Sequence, residues 1–91
     1  MFQISDSIRT TKTPEGAVVL DIRQNLILTT NTVGATILDL IKQGHEEKQI
    51  VAEISLAYEL SIETASADVR DFLECLVARG VAFRSPDQKN A

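Results

Sequence analysis

The 91-residue chain has one histidine, His45, and one cysteine, Cys75. His45 falls in a turn between two helical segments and reads as a solvated loop residue. Cys75 falls in the middle of a helix and reads as a small, half-buried position. With no second histidine or cysteine, no familiar metal-ligand cluster can be assembled, and neither a metal nor another cofactor is expected. Asp68 and Asp71, three residues apart, share a helix face. Paired acids can trade protons with a substrate, but a solvated helix face is the commoner reason for such spacing. Glycines 16, 34, 44 and 80 are scattered over turns and helix positions, so no glycine-rich loop exists to cradle a phosphate. An enzyme is not expected.

The longest element is the helix that carries both acids and the thiol. From Ser61 to Gly80, apolar residues recur at Ile62, Ala65, Val69, Phe72, Leu73, Leu76 and Val77, a single helical stripe. Ser61 is a good N-cap, Glu63 places negative charge in the first turn, and Gly80 can supply the left-handed stop. Beside the core stripe runs a second one, Thr64, Asp68, Asp71, Cys75 and Ala78. It is acidic at one end and small and apolar at the other.

Upstream, three strands are expected over residues 8–13, 17–22 and 26–30. Thr13-Pro14-Glu15-Gly16 makes the first turn. The second turn ends on Asn25, which tolerates the left-handed region. Asn31 caps a first helix over residues 32–43, whose apolar positions are Val33, Ile37, Leu38, Leu40 and Ile41. A second helix over residues 46–58 buries Ile50, Val51, Ile54, Leu56, Ala57 and Tyr58. Val81-Ala82-Phe83 is an apolar tag that can pack back on the core. Strands followed by helices make an α+β fold, a three-stranded antiparallel meander and three helices in a winged helix-turn-helix-like arrangement. One domain over residues 1–84 and a disordered tail over 85–91 are expected.

Composition narrows the function. Net charge is −4, which opposes an unaided grip on nucleic acid, where phosphate neutralisation dominates, and disfavours anionic membranes. No apolar run approaches the ~20 residues of a membrane span, and the N-terminus lacks a signal peptide's pattern, so a soluble cytoplasmic protein is expected. A small DNA-binding regulator is the alternative suggested by the helix-turn-helix, yet its recognition helix would open with Glu63 and Asp68. The third strand, Leu26-Ile27-Leu28-Thr29-Thr30, has no charged residue and lies at the end of the meander, where natural proteins usually blunt an edge. The long helix can cover it, a second copy can pair with it as a weak homodimer, or a peptide can add to it as a strand. In the last case Asp68, Asp71, Phe72, Cys75 and Leu76 form the far wall of a groove.

The run GAVVLDIRQNLILTTNTVGATILDLIKQG, followed by ADVRDFLECLVARGV, resembles the PqqD family, and most of all the B1 proteins of lasso-peptide biosynthesis. The likeness spans residues 8–83. It is carried by Gly16 with Val18-Val19-Leu20-Asp21, Asn31 with Gly34, Gly44 ahead of Ile50-Val51, Asp68-Val69 with Phe72 and Leu76, and Gly80. Departures are Asn25, where the family commonly has glycine, the lack of aromatics near Leu26-Ile27, and His45 where Ser or Thr often caps the second helix. The resemblance implies a non-catalytic recognition element for ribosomally made, modified peptides. It would bind a precursor's leader segment between the third strand and third helix, then present it to a leader peptidase or other modifying enzyme. Lasso-peptide synthesis is favoured over pyrroloquinoline-quinone synthesis by the Asn31/Gly34 helix start and the Asp68-to-Phe72 spacing.

Overall fold

A computed structural model of the chain describes residues 2–84; the expected disordered tail, residues 85–91, lies outside them. The elements run β1 (Phe2–Ile4), β2 (Ile8–Thr13), β3 (Gly16–Asp21), β4 (Leu26–Thr30), α1 (Thr32–Lys42), α2 (Glu47–Tyr58), α3 (Ile62–Ala78) and β5 (Ala82–Arg84). The α+β class, the three-stranded antiparallel sheet and the three helices are as the sequence implies. Sheet order is β2-β3-β4.

The register explains which face is buried. Val19 pairs with Thr10 on one side and Leu28 on the other. Side chains alternate across a strand, so Ile8, Thr10, Val19, Asp21, Leu26, Leu28 and Thr30 share the face turned toward the helices. Arg9, Leu20 and Ile27 line up on the opposite face, where Ile27 is 66% exposed. Gly16 holds the β2–β3 turn against the end of β4, and a methyl group there would lie 1.9 Å from the Thr30 carbonyl oxygen. At the second turn Asn25 adopts φ 57°, the left-handed geometry anticipated for it.

The first and third helices begin as their sequences direct. The Asn31 side chain accepts from the Gly34 amide at 2.9 Å, and the Ser61 hydroxyl accepts from the Thr64 amide at 3.1 Å. The second helix differs. Its N-cap is Glu46, not His45, and the Glu46 amide donates to Gln49 Oε1 at 3.0 Å, because Gln49 lies three residues on, where a side chain can reach back. His45 is half-buried and its Nδ1 has no partner among the described residues, so the solvated-loop reading is corrected. α2 leaves through Glu59, left-handed at φ 54°, while the Ser55 hydroxyl donates to the Leu60 carbonyl at 2.7 Å. The Tyr58 hydroxyl bridges to α1, 2.7 Å from Thr36 Oγ1 and 3.1 Å from the Thr32 carbonyl. α3 stops at Gly80, with φ 77°.

The core is aliphatic. Val19, Ile37, Leu38, Ile50, Ile54, Val69, Leu73, Leu76 and Val81 are each no more than 1% exposed, and burying one such side chain is worth about 1.5–3 kcal/mol. Three positions assigned to buried stripes face solvent instead: Leu56 at 78%, Ile62 at 56% and Val77 at 43%. Ala57 is also exposed. A helix in contact with its neighbours along one narrow line leaves flanking apolar residues outside.

The chain ends form an additional two-stranded sheet, β1 with β5, pairing Phe2 with Arg84 and Ile4 with Ala82. Val81 and Ala82 do return to the core, but as the approach to a strand, and Phe83 is 44% exposed. Phe2 is buried, and the Arg84 guanidinium lies 4.6 Å from the centre of its ring.

Candidate functional site

The two outer strands of the sheet are treated differently. β2 carries Arg9 and Lys12, and its inner-face side chains are tied to α1 through a Lys12–Asp39 ion pair and a Lys42–Thr10 hydrogen bond. β4 has no charged side chain and, among the described residues, is paired on one side alone, with β3. Its backbone stands apart from that of α3.

Between the start of α1 and the middle of α3, next to the Thr30 end of β4, lies a cavity of about 380 Å³. Its apolar lining comes from Val33, Gly34, Ile37 and Phe72, and its polar lining from Asn31, Asp68 and Asp71. Gly34 shapes it. A methyl group at this position would stand 2.9 Å from Thr30 Cβ and 3.0 Å from Phe72 Cε1, so only glycine lets the first turn of α1 sit between β4 and the Phe72 ring without displacing either. The sequence reading of the site omitted Asn31, Val33, Gly34 and Ile37. Their signal was the Asn31 cap and the glycine in the first turn, which bring that turn beside the end of β4.

Of the expected site residues, Asp68, Asp71 and Phe72 meet at this cavity. Leu26, Leu28 and Thr30 are half-buried on the inner face of β4, whereas Ile27 and Thr29 are exposed on the outer face. Cys75 is exposed, one turn along α3 from Asp71, and the half-buried reading is corrected; it lies beside Leu76 and Leu73, which take the inward positions of that turn. Leu76 is 1% exposed and packs in the core, so it supports α3 from behind and offers no surface to the groove.

The groove has a direction. Thr30 at the end of β4 lies by Phe72, because both flank Gly34. Gln24, just before the start of β4, donates through Nε2 to the Arg79 carbonyl at the end of α3, at 3.0 Å. β4 and α3 therefore run in opposite senses along the two sides, with the acidic pair nearer the Thr30 end and Cys75 nearer the Leu26 end.

Asp21, also missed as a functional candidate, is the one buried acid among the described residues, at 2% exposure. Its carboxylate accepts from Gln24 Nε2 at 2.6 Å, Ser7 Oγ at 2.7 Å, the Arg23 amide at 3.0 Å and the Gln24 amide at 3.3 Å. The Gln24 side chain foremost, then the Ser7 hydroxyl, hold its carboxyl below the ordinary carboxylate range against the opposing effect of burial. A charged acceptor with four donors is well satisfied, and its position at the head of the β3–β4 turn is that of an Asx turn.

A second concavity, about 210 Å³, lies across α3 between Phe2, Leu73, Val77 and Arg84. The strand residues that border it belong to the β1–β5 pair and not to β4. Among the described residues no three histidine, cysteine, aspartate or glutamate side chains are grouped to hold a metal ion, and no helix is long and apolar enough to cross a membrane.

Comparison with known proteins bears on the same region. No curated protein matches the chain. Two solved structures match its fold. One is TbiB1 in complex with the TbiA(beta) leader peptide, 26% identical with a TM-score of 0.84, covering 93% of this chain and 99% of that one. The other is a lasso peptide synthetase B1 complexed with the leader peptide, 24% identical with a TM-score of 0.82, covering 91% and 98%. The second likeness carries the fold alone. The family profile described as coenzyme PQQ synthesis protein D matches residues 16–82, which include every element from β3 to α3 and all of the candidate groove. The chain belongs to the PqqD family.

Proposed function

We propose that this protein is a non-catalytic recognition element that binds the leader segment of a ribosomally synthesised precursor peptide. The leader adds as an antiparallel strand to the free edge of β4 and lies in the groove between β4 and α3. The observation that carries this reading is the uncharged, singly paired edge of β4 beside the cavity at Phe72. The likeness to TbiB1, which was solved with a leader peptide, supports it independently.

The chemistry follows from the geometry. Backbone hydrogen bonds along Leu26–Thr30 supply affinity, and alternate peptide side chains turn inward. At the Thr30 end they meet Phe72 with Asp68 and Asp71, which suits a basic residue on an aliphatic stem. At the Leu26 end they meet Leu26 and Cys75, which suits an apolar anchor. Ordering a flexible leader costs about 2–5 kcal/mol, so the anchors must contribute beyond backbone pairing. The protein then presents the leader to a separate leader peptidase or other modifying enzyme in the cytoplasm, without turnover of its own.

The test is fluorescence polarisation with a labelled synthetic peptide. The probes are the TbiA(beta) leader and the N-terminal half of any short precursor reading frame found beside this gene. Saturable binding is expected, with loss of binding when inward-facing anchors are changed to aspartate. Binding unaffected by those changes, or equal binding to a scrambled peptide, contradicts the reading. A regulator would instead retain duplex DNA at physiological salt, and the exposed acids Glu63 and Asp68 on α3 oppose that outcome.

A further inference from the structure

The backbones of β4 and α3 stand apart, and other groups help set the distance between the two sides of the groove. At the Thr30 end the first turn of α1 does so, wedged at Gly34 between Thr30 and Phe72. At the other end Leu26 packs against the core and Ser5 donates to the Gly80 and Val81 carbonyls, while the β3–β4 turn itself is joined to the end of α3 by the Gln24 side chain.

We infer that Gln24, held by the buried Asp21 carboxylate, is a positioning residue that fixes the width of the peptide groove at its Leu26 end. This rests on the peptide-groove reading above and extends it. The Gln24 amide nitrogen has two hydrogens and two acceptors, Asp21 Oδ2 at 2.6 Å and the Arg79 carbonyl at 3.0 Å. Both partners only accept, so the atom between them is the nitrogen and not the amide oxygen. The Arg79 carbonyl belongs to the C-cap of α3, where carbonyls lack helical partners. Gln24 thus caps α3 from another element. Gly80 leaves room for it, since a methyl group there would come within 2.9 Å of the same nitrogen.

The other end of the bridge is rigid. Asp21 is the last residue of β3 and pairs with Leu26, the first of β4. Its carboxylate also accepts from Ser7, just before β2, at 2.7 Å. All three strands therefore converge on the acid, and Gln24 passes that fixed point on to α3. Gln24 is itself exposed, so its replacement removes the bridge without opening the core.

Three substitutions separate positioning from general stability. Gln24→Met keeps the length and loses both donors. Gln24→Lys keeps a donor for both acceptors. Gln24→Glu sets a carboxylate against the Asp21 carboxylate and the Arg79 carbonyl. Peptide binding is measured as above, and amide hydrogen exchange is measured without peptide. Gln24→Met is expected to weaken binding about three- to tenfold, the equivalent of one lost hydrogen bond, and Gln24→Glu more than that. Gln24→Lys is expected to restore most of the affinity. In the free protein Gln24→Met is expected to speed exchange at the start of β4 and in the last turn of α3, with Ile50 and Ile54 in α2 unchanged.

Wild-type-like affinity and exchange in Gln24→Met overturn the inference while leaving the groove reading intact. So does a loss of affinity that Lys fails to restore, accompanied by faster exchange throughout the core. Failure of the wild-type protein to bind any peptide overturns the groove reading itself, and this inference with it.

Discussion

Replacing Gly34 by alanine sets two effects of opposite sign against each other. In a helix interior alanine is favoured over glycine by about 0.8–1.0 kcal/mol, and on propensity alone Gly34→Ala stabilises α1. The surroundings oppose it. The added methyl would lie 2.9 Å from Thr30 Cβ and 3.0 and 3.1 Å from Phe72 Cε1 and Cζ, whereas carbon atoms rest about 3.5–4.0 Å apart. The half-buried Phe72 ring can swing away toward the groove. Thr30 Cβ cannot yield without moving the β4 backbone. Overpacking of this kind costs about 1–3 kcal/mol, so the net change is a loss of about 1 kcal/mol, opposite in sign to the helix scale. Both relief movements intrude on the groove, and leader affinity falls about tenfold, equivalent to 1.4 kcal/mol. Urea unfolding followed by circular dichroism gives the first number and fluorescence polarisation the second. The double variant Gly34→Ala/Phe72→Leu, with a shorter side chain beside the methyl, recovers part of the stability. An alanine variant that is more stable than wild type and binds the leader unchanged refutes the assignment of Gly34 as the wedge between β4 and Phe72.

Gly16→Ala is harsher, because its methyl would lie 1.9 Å from the Thr30 carbonyl oxygen; a loss of about 3 kcal/mol or more is expected, read as a lower urea midpoint. Asp71→Lys, on an exposed position, leaves stability within about 0.5 kcal/mol. It weakens binding of a leader carrying a basic residue at that end about two- to fivefold, measured by polarisation. Asp21 gives an acid limb. Its carboxyl is held below the ordinary value of 3.8, so the stability it adds is complete above that value and is lost as pH falls through the lower folded value. Asp21→Asn is expected to flatten the stability profile below about pH 4, as seen in urea midpoints across a pH series.

The helices and the meander were legible because their signals are local. Asn31, Ser61 and Gly80 mark helix ends, and Asn25 marks a turn that needs a left-handed residue. β1 and β5 were not, since each has three residues and its partner lies about eighty positions away. Nothing near Phe2 announces that it pairs with Arg84. Apolar type alone also failed to fix how each helix is rotated: Ile62 and Val77 belong to the α3 stripe by spacing yet face solvent. At the site, the free edge of β4 followed from a five-residue run without charge. The Thr30–Gly34–Phe72 contact did not, because it joins three elements through the absence of a side chain. Asp21 was visible as the head of a turn, but its burial depends on Ser7 and Gln24 arriving from either side.

Hydrogen exchange with and without the leader peptide tests the central claim most directly, since strand addition protects backbone amides that no side-chain contact would. The account predicts new protection at Leu26–Thr30 and along the middle turns of α3, around Asp68 to Cys75, with the β1–β5 pair unchanged. Protection confined to α2, Glu47–Tyr58, with β4 exchanging as in the free protein, would contradict it.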